Sequence, residues 1–384
     1  MDGLRIALLI GSMREGGAEG QLVLHARELK ARGHEVAIML LHPEGARLPG
    51  LRAEGFLIFP VDLPRFRPIW NPLPWLQLVG RWWRTGAFLR SWRPDVLHAW
   101  LFWAHLWAWL TLPLAGRRVP LITSRLGTPT RDSRGRRFLA VESRINRRAS
   151  AVWANSEGVA RDVAALEKNL PPGSPVVIRN GLPIESLLAA PTADLRALFP
   201  ELADARLVAI HVASLIPVKA HDVLLQAWDQ VRRTDPGVKV LCVGADGGLR
   251  GKLEAQRDSL GLTRHVIFAG PRPDVPSLIK GADLGILCSH REGLSNAMLE
   301  YMILGKPIVC TDVNGTREAV TPDVDGLVVP TADPTALAAA ILRLAKDAEL
   351  RARLGATAAE NTRTRFGLAS MVDALLNLYE RAID

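Results

Sequence analysis

The sequence predicts an α/β protein made of two doubly wound, Rossmann-like domains, and three observations predict it. Short β-branched bursts closed by Gly or Pro alternate with segments of helical period along nearly the whole chain. The alternation breaks once, in a turn-rich and Pro-punctuated stretch from about residue 179 to 204, and then restarts. The chain has 384 residues and is 48% hydrophobic, which suits two cores of ordinary size and excludes disordered, collagen-like and coiled-coil classes. Open α/β sheets bind ligands at the carboxyl ends of their strands, so the cleft between the two domains is the expected site.

Taken in order, the first domain reads as strands at 4–10, 35–41, 95–98, 120–124, 151–154 and 176–178, with an amphipathic helix at 19–32. The second reads as strands at 207–212, 239–243, 266–268, 284–288 and 307–311, with helices at 221–233, 249–260 and 295–304. This divides the chain into domains 1–182 and 183–365, with a terminal helix, 366–384, expected to pack back on the first domain. The apolar opening at 4–10 is too short for a signal peptide and reads as the first strand. Residues 99–115 contain His105 and Pro113 and fall below the roughly 20 residues a membrane span needs, so they read as an interfacial or core segment. Cys242, Cys288 and Cys310 each lie in an apolar run, a pattern of buried free thiols that points to the cytosol.

Charge and tryptophan are shared unevenly. Of a net charge of +9, residues 1–185 carry 26 Lys and Arg against 15 Asp and Glu, and ten of the 11 tryptophans lie there. Nucleic acid is not expected, since no zinc-finger spacing, RNA-recognition signature or basic tail is present. An anionic membrane surface accounts for both signals, because Trp favours the headgroup region and Arg is drawn to anionic lipid. The alternative is that Trp82, Trp83, Trp92, Trp103 and Trp107 are core residues and the arginines a solvated face.

The most informative stretch is 289–309, Ser-His-Arg-Glu-Gly-Leu-Ser-Asn-Ala-Met-Leu-Glu-Tyr-Met-Ile-Leu-Gly-Lys-Pro-Ile-Val. A strand ends, a Gly-containing loop follows, and Ser295 or Asn296 caps a helix whose first N–H groups suit a phosphate. Glu292 lies in the loop and Glu300 more than one turn into the helix, so the two carboxylates reach different parts of an elongated ligand. One can accept from both hydroxyls of a ribose. Upstream, Lys219 lies between a strand end and the next helix, where an ammonium stabilises charge on a departing diphosphate. Near the N-terminus Gly16 and Gly17 follow the first strand and let backbone approach a ligand, without the spacing of a dinucleotide fingerprint or a Walker lysine. The Asp-Val-Asp at 323–325 reads as a turn before a strand, and no other metal-ligand spacing occurs.

These residues resemble glycosyltransferase family 4, the large group of retaining sugar-nucleotide transferases with two facing Rossmann-like domains (GT-B). The resemblance rests on Gly-Gly-Ala-Glu (16–19), Asp-Val-Leu-His-Ala (95–99), Ala-Asn-Ser (154–156), Val-Ile-Arg-Asn-Gly (177–181), Pro-Val-Lys-Ala-His-Asp-Val-Leu (217–224) and the Glu-x7-Glu element from Glu292 to Glu300, in family order. It implies that Glu300 holds the donor ribose, that Lys219 and the amides of Gly293, Leu294, Ser295 and Asn296 hold the diphosphate, and that Glu292 contacts the donor sugar. It further implies transfer with retention, the leaving phosphate taking the acceptor proton, with neither metal nor cofactor. Three positions depart from the family. Ser214 and Ile216 stand where an arginine is usual, Arg125 stands where many members have a histidine, and Trp100 and Trp103 follow His98 where further histidines are common. Arg125 can bind phosphate or a sugar carboxylate but cannot exchange protons at neutral pH, and His98 is either a cleft residue or a satisfied core histidine. The expected catalytic set is Lys219, Glu292, Arg125 and His98, and Gly16, Gly17 and Ser214 join the expected donor-binding residues.

The expectation is a transferase that moves a hexose or N-acetylhexosamine from a nucleotide-sugar, UDP-linked in preference, to a lipid-linked or polysaccharide acceptor in cell-surface glycan synthesis. It is placed peripherally on the inner face of the cell membrane. The rivals are a catalytically silent sugar-nucleotide-binding partner, a GT-B epimerase and a pyridoxal-dependent phosphorylase.

Overall fold

A computed structural model describes residues 3–14, 16–64, 73–127 and 133–384. They form two compact units, Met1–Gly181 with Leu368–Asp384, and Leu182–Gly367.

The first unit holds a parallel sheet of β1 (Arg5–Ile10), β2 (Glu35–Leu40), β3 (Leu57–Pro60), β4 (Val96–Trp100), β5 (Leu121–Arg125), β6 (Ala151–Ala154) and β7 (Val176–Val177), in the order β3-β2-β1-β4-β5-β6-β7. Both faces are covered by helices, which is why β1, β4, β5 and β6 are almost continuously buried. The chain moves outward from β1 to β3 and then crosses back to β4, so the order reverses between β1 and β4. The terminal helix Leu368–Ile383 belongs to this unit, and its Val372, Leu375 and Tyr379 share a core with Leu22 and Leu29 of the helix Gly17–Ala31.

The second unit repeats the plan with β8 (Leu207–Val212), β9 (Val238–Val243), β10 (Val266–Gly270), β11 (Leu284–Leu287), β12 (Ile308–Thr311) and β13 (Leu327–Val329), ordered β10-β9-β8-β11-β12-β13 and parallel throughout. Here the reversal falls between β8 and β11. The helix Asn296–Ile303 is pinned over that point by Tyr301, whose ring lies against Gly285 of β11 so closely that a Cβ there would collide with it. The Tyr301 hydroxyl accepts from the Val212 N–H at the end of β8 (2.6 Å).

The strands expected from the sequence are present with ends shifted by a residue or two, and β3 and several helices are additional, among them the 20-residue helix Leu73–Trp92 and the helices Ser133–Asn146, Glu157–Leu166, Pro334–Lys346 and Ala348–Arg363. Residues 99–115 run from the end of β4 through the helix Phe102–Thr111 into a 3-10 turn, and among the described residues no helix is long and apolar enough to cross a membrane. The alternative reading, in which five tryptophans are core, holds for some of them and not for others. Trp107 is buried and Trp82 and Trp92 are half-buried, but Trp83 is 54% and Trp103 63% exposed. Trp70 lies outside the described residues. All three cysteines are free and buried.

Candidate functional site

The second unit brings Lys219 and Glu292 together, although 73 residues separate them. Lys219 ends a 3-10 turn, Pro217–Lys219, on the loop that leaves β8, and Glu292 lies in the loop that leaves β11. Because β8 and β11 are neighbours at the reversal of strand order, their outgoing loops share the carboxyl end of the sheet. The Lys219 ammonium donates to Glu292 Oε1 in an ion pair whose side chains are 22% and 14% exposed. A main-chain bond ties the loops, His290 N–H to the Val218 carbonyl (2.9 Å), and the chain turns into the next helix through Ala220, which adopts the left-handed conformation at φ 52°.

Beneath the pair lies a buried shelf. Ser289, fully buried, donates from Oγ to Glu292 Oε1 (2.7 Å), and its own carbonyl accepts from Thr311 Oγ1 (2.7 Å). His211 donates from Nδ1 to the Ile286 carbonyl (2.9 Å) and stacks edge-on against His221 at 4.7 Å between ring centroids. Burial pushes His211 down to about 4, and it pushes His221 down to about 2 with help from His211 and Lys219. Both rings are therefore neutral at pH 7, and neither adds charge beneath the ion pair. Burial pushes the Cys288 thiol up to about 12, so it is not a nucleophile.

Gly293, Leu294 and Ser295 are buried and lead into the helix Asn296–Ile303. Ser295 occupies the N-cap position in extended conformation, but its side chain makes no cap hydrogen bond, so it does not occupy the N–H groups of the first turn. Gly315 backs so tightly onto the loop that a Cβ there would meet the Gly293 carbonyl. Glu300 is half-buried on the same helix, and Ser214, also half-buried, lies in the loop after β8. The unit thus supplies an ammonium, a carboxylate and a helix start at one end of a sheet, with the carboxylate of Glu300 about one turn along that helix, a set suited to a phosphate-bearing ligand with hydroxyl groups.

The first unit treats its candidates differently. His98 is fully buried, its Nδ1 2.6 Å from the Tyr379 hydroxyl and its Nε2 2.8 Å from Ser124 Oγ, and burial holds its pKa well below the ordinary value. Of the two readings left open by the sequence, the core histidine is the one observed. Arg125 is likewise buried. Its Nε and Nη2 donate to Glu167 (2.7 and 2.8 Å), and Nη2 also donates to Glu142 (2.9 Å) and Asn146 (3.2 Å). The expectation that Arg125 meets a phosphate or sugar carboxylate is corrected on this ground, since two buried carboxylates already claim its guanidinium. Gly16 and Gly17 do open the helix Gly17–Ala31 after β1. The Glu19 carboxylate fills the space beside Gly16, whereas a Cβ at Gly17 would meet nothing within 4 Å.

Asp325 accepts from the Thr321 N–H (2.6 Å) and from Asn361 (3.0 Å), while Asp323 pairs with Arg343 (2.6 Å). The Asp-Val-Asp turn is thereby occupied, and among the described residues no group of three or more His, Cys, Asp or Glu is arranged to hold a metal ion. Sequence reasoning missed Ser289 and Tyr301. The Ser-x-x-Glu spacing before the helix was a signal available for the first, whereas nothing local marks the second.

Two family models match the chain, Glycosyltransferase Family 4 over residues 15–186 and Glycosyl transferases group 1 over 199–361. The lipopolysaccharide core biosynthesis glycosyltransferase LpsD of Rhizobium meliloti is 32% identical over 46% of this chain and 50% of its own length. The D-inositol 3-phosphate glycosyltransferase of Saccharomonospora viridis is 27% identical over 97% of this chain and 91% of its own. Among solved structures, Anabaena HepE in complex with UDP and glucose superposes with a TM-score of 0.82 at 26% identity, covering 97% of this chain and 98% of its own.

Proposed function

The chain belongs to glycosyltransferase family 4 and has the GT-B fold, and from that premise we propose that it transfers a hexose or N-acetylhexosamine from a UDP-sugar, with retention and without a metal, to a lipid-linked or polysaccharide acceptor of cell-surface glycan synthesis. The observation that carries this reading is the meeting of Lys219, Glu292 and the start of the helix Asn296–Ile303 at the switch point of the second sheet. In it the diphosphate lies against Lys219 and the N–H groups at the helix start, Glu300 takes the ribose hydroxyls, and Glu292 takes a hydroxyl of the sugar. The bond from the anomeric carbon to the phosphate oxygen breaks as the acceptor oxygen bonds on the same face, and the leaving phosphate receives the acceptor proton. Electrostatic stabilisation of that phosphate is the chief catalytic effect. UDP is preferred as donor because HepE was solved with UDP and with UDP-glucose. The expected result is transfer or slow donor hydrolysis in EDTA, with the first-formed product retaining the donor's α configuration by proton NMR. Inversion, or strict dependence on added metal, would overturn the mechanism.

The first unit supports a membrane-surface location. On the helix Leu73–Trp92, Leu76, Val79 and Trp83 are 69%, 52% and 54% exposed and fall three and four residues apart, on one face. Arg84 and Arg90 are exposed on the same helix, and Trp82 Nε1 donates to the Leu110 carbonyl (2.8 Å), joining it to the helix Phe102–Thr111 with its exposed Trp103. An apolar stripe beside arginines suits the headgroup region of an anionic bilayer. Pelleting with phosphatidylglycerol vesicles at low salt is expected to capture the protein, and Trp83→Ser to weaken capture several-fold. No binding by the wild type would sink this location.

A further inference from the structure

We propose that Ser289 is the positioning residue for Glu292, and that Lys219 holds the same carboxylate only until a donor diphosphate arrives. This rests on the donor-site reading above. Both contacts to the carboxylate use one oxygen: Ser289 Oγ donates to Oε1 at 2.7 Å, and the Lys219 ammonium pairs with that same Oε1. The two partners differ in how firmly they are held. Ser289 is fully buried just past the end of β11, its carbonyl bonded to Thr311 Oγ1 of β12 at 2.7 Å. Lys219 sits on a flexible four-carbon stem and is partly exposed.

A diphosphate presents more negative charge and more acceptor oxygens than one carboxylate, so it takes the ammonium from Glu292. Glu292 then loses its counter-charge beside an anion that repels it. The Ser289 hydroxyl, which does not move with Lys219, keeps Oε1 in place and leaves Oε2 to accept from a sugar hydroxyl. The Lys219–Glu292 pair therefore closes the empty site on itself and competes with nucleoside diphosphate. Ser289 makes the open arrangement usable.

The test is titration with UDP and steady-state turnover of UDP-glucose, or of UDP-N-acetylglucosamine where that is faster, on wild type, Glu292→Gln, Ser289→Ala, Ser289→Thr and Lys219→Ala. Removing the competing charge in Glu292→Gln is expected to tighten UDP about twofold to fivefold, the scale of a partly exposed ion pair. Ser289→Ala is expected to bind UDP within about twofold of wild type but to lose about tenfold or more in kcat, the scale of one hydrogen bond to a charged group. Ser289→Thr should restore most of that loss. UDP affinity in Glu292→Gln equal to or below wild type overturns the competition, and unchanged kcat in Ser289→Ala overturns the positioning role. Lys219→Ala separates the two levels. If it binds UDP as tightly as wild type, the donor-site reading falls and this proposal with it; if it weakens UDP while Glu292→Gln does not tighten it, the competition alone falls.

Discussion

Lys219→Ala is expected to lower kcat/KM for sugar transfer by about 10²- to 10³-fold, the loss typical of removing one preorganised donor to charge that develops in the transition state. The lysine faces the carboxyl end of the second sheet, close to the reversal of strand order, and no other cation contacts Glu292 among the described residues. Ser214 and Ile216 stand where the resemblance to the family leads one to expect an arginine, so in the proposed reading the phosphate charge rests chiefly on Lys219. Much of the loss should fall in kcat, because charge on the leaving phosphate grows as the bond breaks. Steady-state kinetics on the variant, with urea unfolding to verify that the fold is retained, checks this. Activity within twofold of wild type would mean that the ammonium does not act on the leaving group.

Arg125→Ala is expected to destabilise the protein by about 3–5 kcal/mol, as removal of one member of a buried ionic cluster does. Its guanidinium supports Glu167, Glu142 and Asn146, all buried, and Asn146 in turn donates to Glu167 Oε2 (3.0 Å). Without the arginine two buried carboxylates lose their guanidinium partner, leaving Glu142 with the His105 ring (2.8 Å) and Glu167 with the Asn146 amide. Arg125→Met with Glu142→Gln and Glu167→Gln should recover a large part of the loss, since the cost lies in the uncompensated charges. Urea denaturation followed by tryptophan fluorescence reads both variants. A loss of transfer by Arg125→Ala with no change in stability would return this residue to a role at the substrate.

The contrast between these two residues shows what a sequence makes legible. Strand periodicity places Lys219 and Glu292 in the loops that leave β8 and β11, and the doubly wound order then makes those loops neighbours, so a fold rule joins residues 73 apart. Periodicity also places Arg125 at the end of β5. Whether that side chain meets a ligand or a buried partner depends on Glu142 and Glu167, 17 and 42 residues away, which no local pattern couples to it. His98 was ambiguous for the same reason, because its partner Tyr379 lies 281 residues on, in the terminal helix. The strand β3 escaped notice because it is a four-residue edge strand with a proline at its end. The helix Leu73–Trp92 escaped because its apolar residues lie on its exposed face as well as its buried one, which blurs the amphipathic period.

In the proposed reading the loops after β8 and β11 form a nucleotide-sugar site whose ribose ligand is Glu300. Calorimetric titration of UDP, GDP and ADP without metal, on wild type and Glu300→Ala, tests it most directly. UDP is expected to bind, and the variant to bind it about 30-fold more weakly, equivalent to the roughly 2 kcal/mol of a lost hydrogen bond to a charged group. Absence of binding by all three nucleotides, or equal affinity in the two proteins, would contradict it.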